Sequence, residues 1–274
     1  MTRSLLFCYA HPDDESYLAA GTIARYANDG HTHVALVTAT RGGAATLGPD
    51  AICTREQLPE VRTAELDRAA ELLGIRRSYL LDYPDRQLAA ADPEEIRREL
   101  VSVIRWHRPE VVVTFDPNGH NLHPDHIAIS RFTADAVAAA ADGRWLPEAG
   151  LPHEVQRLLW STPVAAWTMI RASESAADHA AVPGVDFLIG TRDYIDAKQA
   201  ALRAHASQRA GIDALLLGGA DRDAVLAAET FRLGWGPAPA RRPAECLFEG
   251  LGTRHSALAA RHSTRRRVSS RIGA

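Results

Sequence analysis

Short apolar runs alternate in the first half of the chain with longer segments whose apolar residues recur at helical spacing. The short runs predict buried strands at 5–9, 34–38, 79–81 and 111–114. The longer segments predict helices at 16–28, 59–73, 93–106 and 124–141. Because strands that alternate with helices are typical of βαβ units, we predict a three-layer αβα fold with a mainly parallel sheet.

Residues with special backbone preferences mark the ends of several of these helices. Gly30 and Gly74 each follow a helical segment and predict its end, since glycine adopts the left-handed conformation that closes many helices. Asp92 supplies an N-cap, Pro93 suits the first helical position, and Glu95 is a capping-box acid. A helix is therefore expected to begin at this point.

Beyond residue 143 the pattern weakens. We expect strands at 155–160 and 165–170 and a helix at 194–205, and the segments rich in Ala, Gly and Pro at 211–220 and 234–243 are interpreted as loops. No fixed-period repeat or internal boundary is visible. We predict one domain over residues 1–274, with the arginine-rich last ~20 residues as a flexible basic tail.

Composition excludes several classes of partner. The chain has 31 Lys and Arg against 34 Asp and Glu, a net charge of −3, so no basic field attracts nucleic acid or anionic lipid. No apolar run approaches the ~20 residues that span a bilayer. Three cysteines without paired spacing do not predict disulfides, and a cytoplasmic location is the expectation. A small-molecule or glycoconjugate partner fits this composition, and a homo-oligomer is compatible with it.

Candidate chemistry gathers in two short motifs, AHPDDE at 10–15 and HNLHPDH at 120–126. They follow the first and the fourth predicted strand. In the common strand order 3-2-1-4 these two strands are neighbours, and ligands bind outside their carboxyl ends. The two motifs are therefore expected to face each other.

The residue types in these motifs suit a divalent cation. Imidazole and carboxylate are preferred ligands when thiolates are lacking, and a catalytic site keeps one position open for water. His11, Asp14 and His126 meet that need. Asp13 lies beside a ligand and can accept a proton from the activated water, which makes it the candidate general base.

Other interpretations remain open from these residues alone. Acids and histidines at helix starts are often caps, and either motif by itself can be explained in that way. A nucleotide-binding protein would suit the fold, but no G-x-G-x-x-G or P-loop follows a strand and the acids would repel phosphates. A non-catalytic interaction module is distinguished by the metal content of the purified protein.

The motifs AHPDDE and HPDH resemble those of the N-acetylglucosaminyl-phosphatidylinositol de-N-acetylases, also called PIG-L or LmbE-like proteins. The similarity runs from residue 4 to about 140, and more faintly over 198–208, which makes His205 a candidate pocket residue. The resemblance implies a Rossmann-like fold, a zinc or iron(II) ion, and hydrolysis of an N-acetyl group from glucosamine-containing substrates.

The resemblance also implies roles for individual residues. It places the metal ligands and the general acid/base on the four residues already chosen for their chemistry. It further implies that His123 stabilises the oxyanion and that Asp125 orients a ligand or that histidine. Arg62 and Asp85 resemble substrate-contacting positions, although a charge on an exposed helix face is a simpler interpretation of Arg62.

Two departures from the family pattern concern the substrate pocket. Asn121 stands where some bacterial members carry a tyrosine, so Asn121 or the adjacent His120 is a candidate to contact the substrate carbonyl. The run 41–44 reads Arg-Gly-Gly-Ala where the family often has Arg-Gly-Glu. The residues do not separate a glucosamine-containing substrate from a non-sugar N-acyl compound or a mycothiol-like conjugate.

Overall fold

A seven-stranded sheet forms the centre of the molecule, in the order β3-β2-β1-β4-β5-β7-β6. The computed structural model describes residues 2–48, 51–162, 184–219 and 222–252. The strands are β1 (Arg3–Tyr9), β2 (Thr32–Thr40), β3 (Arg77–Tyr83), β4 (Val111–Phe115), β5 (Arg157–Ser161), β6 (Phe187–Gly190) and β7 (Ala228–Trp235). Neighbouring strands among β1 to β5 are parallel, and β7 runs antiparallel to both β5 and β6.

Helices cover both faces of this sheet. They are α1 (Asp14–Leu18), α2 (Ala20–Ala27), α3 (Leu58–Leu73), α4 (Pro93–His107), α5 (Gly119–Leu122), α6 (Pro124–Ala141), α7 (Ile195–Ala204), α8 (Arg209–Ile212) and α9 (Arg222–Leu226). Helices α2, α3 and α7 pack together, and α4 packs against α6. Crossovers between parallel strands are right-handed, and the order of strands across the sheet reverses at β1. The two groups of helices therefore lie on opposite faces of the sheet. The predicted αβα architecture is confirmed.

The interior strands are apolar along almost their whole length. Leu5 to Tyr9 in β1 and Val111 to Phe115 in β4 are fully buried, as expected for parallel strands covered on both faces. Cys8 lies in this core, where burial raises the pKa of its thiol to about 12. It is therefore an unreactive side chain that packs as a small apolar group.

The predicted helix ends are present in the structure. Gly74 ends α3 with φ 79°, the left-handed conformation expected of it. The Asp92 carboxylate accepts hydrogen bonds from the backbone N–H groups of Glu94 and Glu95, at 2.8 and 3.1 Å, and Pro93 is the first residue of α4. These local signals fixed the boundaries because they act within one turn of the chain.

Three predicted elements were wrong. The segment predicted as one helix at 16–28 forms two helices, because the helical conformation is interrupted at Ala19, where φ is −146°. The loop at 211–220 contains a π-helical segment, Asp213–Leu217, which buries Leu216 and Leu217. The first two residues of the loop predicted at 234–243 belong to strand β7, which continues to Trp235.

Two strands were not predicted, and two predictions lie outside the described residues. Strands β6 and β7 were missed because β6 has only four residues and β7 mixes charged with apolar side chains. The strand at 165–170 and the basic tail at 254–271 fall outside the described residues. Among the helices that are described, none has the length and apolar character needed to cross a membrane.

A buried ion pair joins the last strand to the helices on one face. The Lys198 ammonium in α7 lies 2.5 Å from the Glu229 carboxylate in β7, and both side chains are fully buried. Glu229 also accepts hydrogen bonds from the backbone N–H groups of Gly21 and Thr22, at 2.9 and 2.7 Å. The carboxylate therefore binds the first turn of α2, whose N–H groups have no partner within the helix.

Lys198→Met is expected to lower the free energy of unfolding by about 3–5 kcal/mol, because it leaves the Glu229 charge buried without its cation. Urea denaturation of the purified variant measures the loss. The matched control is Arg209→Met, which removes an ion pair with Asp213 whose arginine side chain is 81% exposed. The control is expected to change stability by less than about 0.5 kcal/mol, and an equal loss in both variants would contradict the argument.

Candidate active site

The two sequence motifs meet at the carboxyl ends of adjacent strands. Residues 5–7 of β1 pair with residues 111–113 of β4, as the predicted strand order requires. His11 lies in the turn between β1 and α1, and His126 lies in the first turn of α6, which begins shortly after β4. Their ring centroids are 5.0 Å apart, although the residues are separated by more than a hundred positions.

Three ligand atoms converge between the turns. His11 Nδ1 lies 3.1 Å from His126 Nε2 and 3.5 Å from Asp14 Oδ2. His126 Nε2 lies 3.4 Å from Asp14 Oδ1. Asp14 Oδ2 already accepts the backbone N–H groups of Ala10 and His11, so Oδ1 is directed at the histidines.

Hydrogen bonds on the far side of each ring define which nitrogen carries its proton. His126 Nδ1 lies 3.1 Å from the Gly119 carbonyl oxygen and must donate to it, which leaves a lone pair on Nε2. His11 Nε2 lies 3.2 Å from Asp85 and 3.3 Å from Asp125, so it donates to carboxylate and leaves a lone pair on Nδ1. When both rings are neutral, as metal ligands are, two lone pairs and a carboxylate face one another.

This arrangement fits a divalent cation. Burial lowers the pKa of His11, but the Asp125, Asp14 and Asp85 carboxylates raise it well above its ordinary value, so this ring attracts a positive charge, either a proton or a metal ion. Donors at about 2.0–2.1 Å from a tetrahedral zinc ion lie about 3.3–3.4 Å from one another, close to the separations found here. The rings are further fixed from behind, since His126 stacks on Phe115 with centroids 4.0 Å apart. Residues His11, Asp14 and His126 could therefore hold the metal, and their role as its ligands stays a prediction.

Two other groupings of the same side chains are less suited to a cation. His123 also has a ring nitrogen within 4.8 Å of the His11 and His126 donors, but its Nδ1 accepts the Asp125 N–H. Asp85 and Asp125 lie together on the other side of His11. Their oxygens accept backbone N–H groups, from Ala44 for Asp85 and from residues 86 and 88 for Asp125. These carboxylates accept from the His11 ring, at 3.2 Å for Asp85 and 3.3 Å for Asp125, and that Asp125 orients a metal ligand stays a prediction.

Arg62 is buried, which overturns its interpretation as an exposed helical charge. Only 3% of its surface is exposed, and its guanidinium lies 2.9 Å from the Asp13 carboxylate. It also donates to the backbone oxygens of Pro12 and Gly42. Gly42 has φ 65°, and a Cβ there would collide with the guanidinium, so the glycine in the run 41–44 makes room for Arg62. Arg62 thus fixes the first motif from α3.

Asp13 has the electrostatics of a group that can exchange a proton. Burial raises the pKa of its carboxyl to about 6, and Arg62 limits the rise by favouring the charged form. Burial opposes ionisation of Asp14 too, but the His126 and His11 rings outweigh it and hold the pKa of Asp14 well below its usual range. The pKa values of the two adjacent carboxyls are thereby shifted in opposite directions, upward for Asp13 and downward for Asp14.

His123 is oriented to donate a hydrogen bond even when neutral. Its Nδ1 accepts the Asp125 backbone N–H at 3.2 Å, so the proton of the neutral ring is on Nε2. Burial, with the nearby His11 and His126 rings, lowers the pKa of His123. An N–H donor from a neutral imidazole, rather than an imidazolium, is the form that this environment favours.

The segment between β4 and α6 is strained at the residues beside the pocket. His120 and Leu122 have φ of 65°, which is unusual for residues other than glycine. The Asp116 carboxylate holds this backbone by accepting the N–H groups of Asn118 and His120. Asn121 lies at the pocket, and its Oδ1 accepts the His123 N–H at 3.1 Å. Strain of this kind persists where the surroundings over-determine it, often at functional sites.

A cavity of about 320 Å³ opens over these groups. The predicted site residues line it with two exceptions: Asp125 is buried behind His11, and His205, which we expected at the pocket, is fully buried and is not part of the cavity lining. Other side chains around it were not predicted: Tyr17, Leu18, Arg86, Gln208, Leu215 and Leu216. Gln208 belongs to the faintly similar segment 198–208, whereas Leu215 and Leu216 lie in the segment 211–220, which the sequence predicted as a loop.

Comparison with known proteins bears on what this site does. Residues 6–137 match the family described as GlcNAc-PI de-N-acetylase, PIG-L. Over 302 residues the chain is 34% identical to the 1D-myo-inositol 2-acetamido-2-deoxy-alpha-D-glucopyranoside deacetylase of Kineococcus radiotolerans, covering 91% of this chain and 83% of the relative. The chain belongs to the PIG-L family. The predicted family and the predicted N-deacetylase, a hydrolase of amide carbon–nitrogen bonds, are confirmed.

Further PIG-L relatives agree with this assignment. The Streptomyces avermitilis protein of the same name is 36% identical over 246 residues, covering 75% of this chain and 83% of the relative. Among solved structures, the N,N'-diacetylchitobiose deacetylase of Pyrococcus horikoshii has a TM-score of 0.65 at 21% identity, covering 84% of this chain and 83% of that one. At that identity the likeness concerns the fold. PIG-L deacetylases are metal-dependent, in keeping with the His and Asp cluster.

Proposed function

We propose that the chain removes an N-acetyl group from a glucosamine-containing small molecule, with a divalent cation held by His11, Asp14 and His126. The observation that carries the proposal is that Asp13 lines the same cavity as three converging donor atoms and is not itself one of them. A zinc or iron(II) ion held by these three residues would supply polarisation of the amide carbonyl and would lower the pKa of a water toward ~7.

Asp13 moves the proton in this proposal. Its carboxylate accepts a proton from the attacking water and delivers it to the amine that leaves. A pKa near 6 suits both steps, since a group that takes and returns a proton works best when its pKa is near the operating pH. Arg62 holds the carboxylate at 2.9 Å and keeps its orientation between the two steps.

His123 stabilises the charge that develops on the substrate oxygen. Its Nε2–H faces the cavity because Nδ1 is occupied by the Asp125 N–H. Asp85 contacts His11 at 3.2 Å, so we assign it to orienting that ring rather than to the substrate alone. Asn121 and His120 line the cavity as candidates to contact the substrate carbonyl.

The relatives indicate the class of substrate. The proteins that are 34% and 36% identical are named for an inositol glycoside of N-acetylglucosamine. We infer a substrate of this kind, in which a sugar carries the acetamido group. A cytoplasmic location remains a prediction, as do the flexible tail and any homo-oligomer.

An amine-release assay tests the proposed function. Purified protein is incubated with the inositol glycoside, N,N'-diacetylchitobiose, an N-acetyl amino acid and a mycothiol-like conjugate. We expect release from the inositol glycoside at least about 10²-fold faster than from the amino acid, because a site built to bind hydroxyl groups rejects compounds that lack them. Faster release from the amino acid or the conjugate would contradict an N-acetylated sugar as the substrate.

A further inference from the structure

A fully buried histidine lies behind the first motif and takes no part in the proposed reaction. His205 follows α7 and has no exposed surface, and its Nε2 lies 2.8 Å from Glu15 Oε1. Glu15 is likewise fully buried. Burial disfavours charge on the ring, but the Glu15 carboxylate outweighs it and raises the pKa of His205. Two polar side chains from distant parts of the chain thus satisfy each other in the interior.

Glu15 also contacts Asp13, the candidate general base, and so connects it to His205. Its other oxygen, Oε2, accepts the backbone N–H of Asp13 at 3.1 Å. Oε1 is shared with the Ser16 hydroxyl, which donates at 2.7 Å. Each carboxylate oxygen therefore has a defined donor. The orientation of Glu15, and with it the Asp13 backbone, depends on where the His205 N–H lies.

The Asp13 backbone needs such support. Its φ of 111° is a strained conformation for a residue with a side chain, and it directs the carboxylate into the cavity. Arg62 holds the carboxylate and the Pro12 oxygen from one direction. Glu15 holds the Asp13 N–H from the other direction.

The segment that carries His205 is itself fixed to the fold. Ser207 donates its backbone N–H and its hydroxyl to the two oxygens of Glu65 in α3, each at 2.7 Å. Gln208, which lines the cavity, donates its backbone N–H to the His205 backbone oxygen at 3.0 Å. The His205 ring therefore occupies a rigid position from which it can define that of Glu15.

We infer that His205 is a positioning residue for catalysis, which acts through Glu15 to hold Asp13 in its strained, proton-accepting orientation. The inference rests on the proposed role of Asp13. The contact requires only the Nε2–H donor, because the other ring nitrogen, Nδ1, is buried without a hydrogen-bond partner among the described residues. A side chain that replaces this one donor should preserve function.

A matched pair of substitutions tests the inference. A glutamine amide reaches the place of Nε2, whereas an asparagine amide is shorter and does not. His205→Gln is expected to keep kcat within about 3-fold, and His205→Asn to lower it about 10–100-fold, because a small misplacement of a catalytic group costs up to about 10²-fold. KM and bound metal per chain are expected to stay unchanged in both. Tyr26→Phe, which removes a buried hydrogen bond to Leu247, is the control and should leave kcat unchanged.

The outcomes separate the inference from the proposed function. An inactive wild type would refute the function, whereas an active wild type with equal kcat in the two His205 variants would refute the positioning role. A fall in bound metal that parallels kcat would also overturn it. If His205→Asn does not fold, Glu15→Asp makes the test, because the shorter carboxylate cannot reach both His205 Nε2 and the Asp13 N–H. Full kcat in that variant would contradict the inference.

Discussion

Asp13→Asn lowers kcat/KM by about 10²–10⁴-fold, the contribution expected of a general acid and base. The asparagine amide keeps the shape of the side chain and can still accept from Arg62, but it cannot take a proton from water. Bound metal stays at the wild-type level, since Asp13 supplies none of the three converging atoms. Steady-state kinetics on the inositol glycoside, with metal analysis of the same preparation, measures both quantities.

The control for this substitution is a second aspartate close to the same edge of the sheet. Asp82 pairs with Arg41 on the surface, and 60% of its side chain is exposed. Asp82→Asn should leave kcat/KM within about 2-fold, as most surface substitutions are close to neutral. An Asp13→Asn protein with full activity and full metal content would show that another group carries the proton.

Removal of the metal is expected to abolish activity, since both carbonyl polarisation and water activation are lost. Chelation should also lower Tm, because a metal ion that binds only the folded protein stabilises that state. A ligand at about 1,000 times its Kd stabilises a fold by about 4 kcal/mol, which sets the scale of the change. Re-addition of zinc or iron(II), followed by activity and thermal melting, tests both effects.

Substitutions of histidine distinguish this site from weak surface binding. His126→Ala should eliminate stoichiometric metal and reduce turnover below that of Asp13→Asn. His33→Ala is the control, because His33 is exposed and lies at the opposite end of the sheet from the candidate cluster, near the start of β2. Activity that survives chelation, or equal loss of metal in both variants, would contradict a catalytic cation at the strand ends.

Local signals account for much of what the sequence predicted. The apolar runs located β1, β2 and β4, and the Asp92–Pro93 pair located the start of α4. The meeting of the two motifs followed from the expected strand order, because neighbouring parallel strands place their carboxyl ends together. Residue type then suggested the ligands, since histidine and aspartate offer suitable donors.

Contacts between distant segments were beyond this kind of inference. Nothing in the spacing of α3 indicates that Arg62 is buried against Asp13, because a single charge on a helix is usually solvated. The His205–Glu15 contact depends on how α7 packs, and periodicity does not specify packing. Strand β7 was missed for a related reason: its Glu229 is a buried charge whose partners, Lys198 and the start of α2, come from elsewhere in the chain.

The Glu229 contact with α2 has a consequence for how the protein forms during translation. Gly21 and Thr22 emerge from the ribosome about 200 residues before the carboxylate that binds their N–H groups. The opening βα unit therefore cannot complete its hydrogen bonding until nearly all of the described chain has been synthesised. We expect nascent fragments that end before β7 to keep this helix start open to solvent and to chaperones.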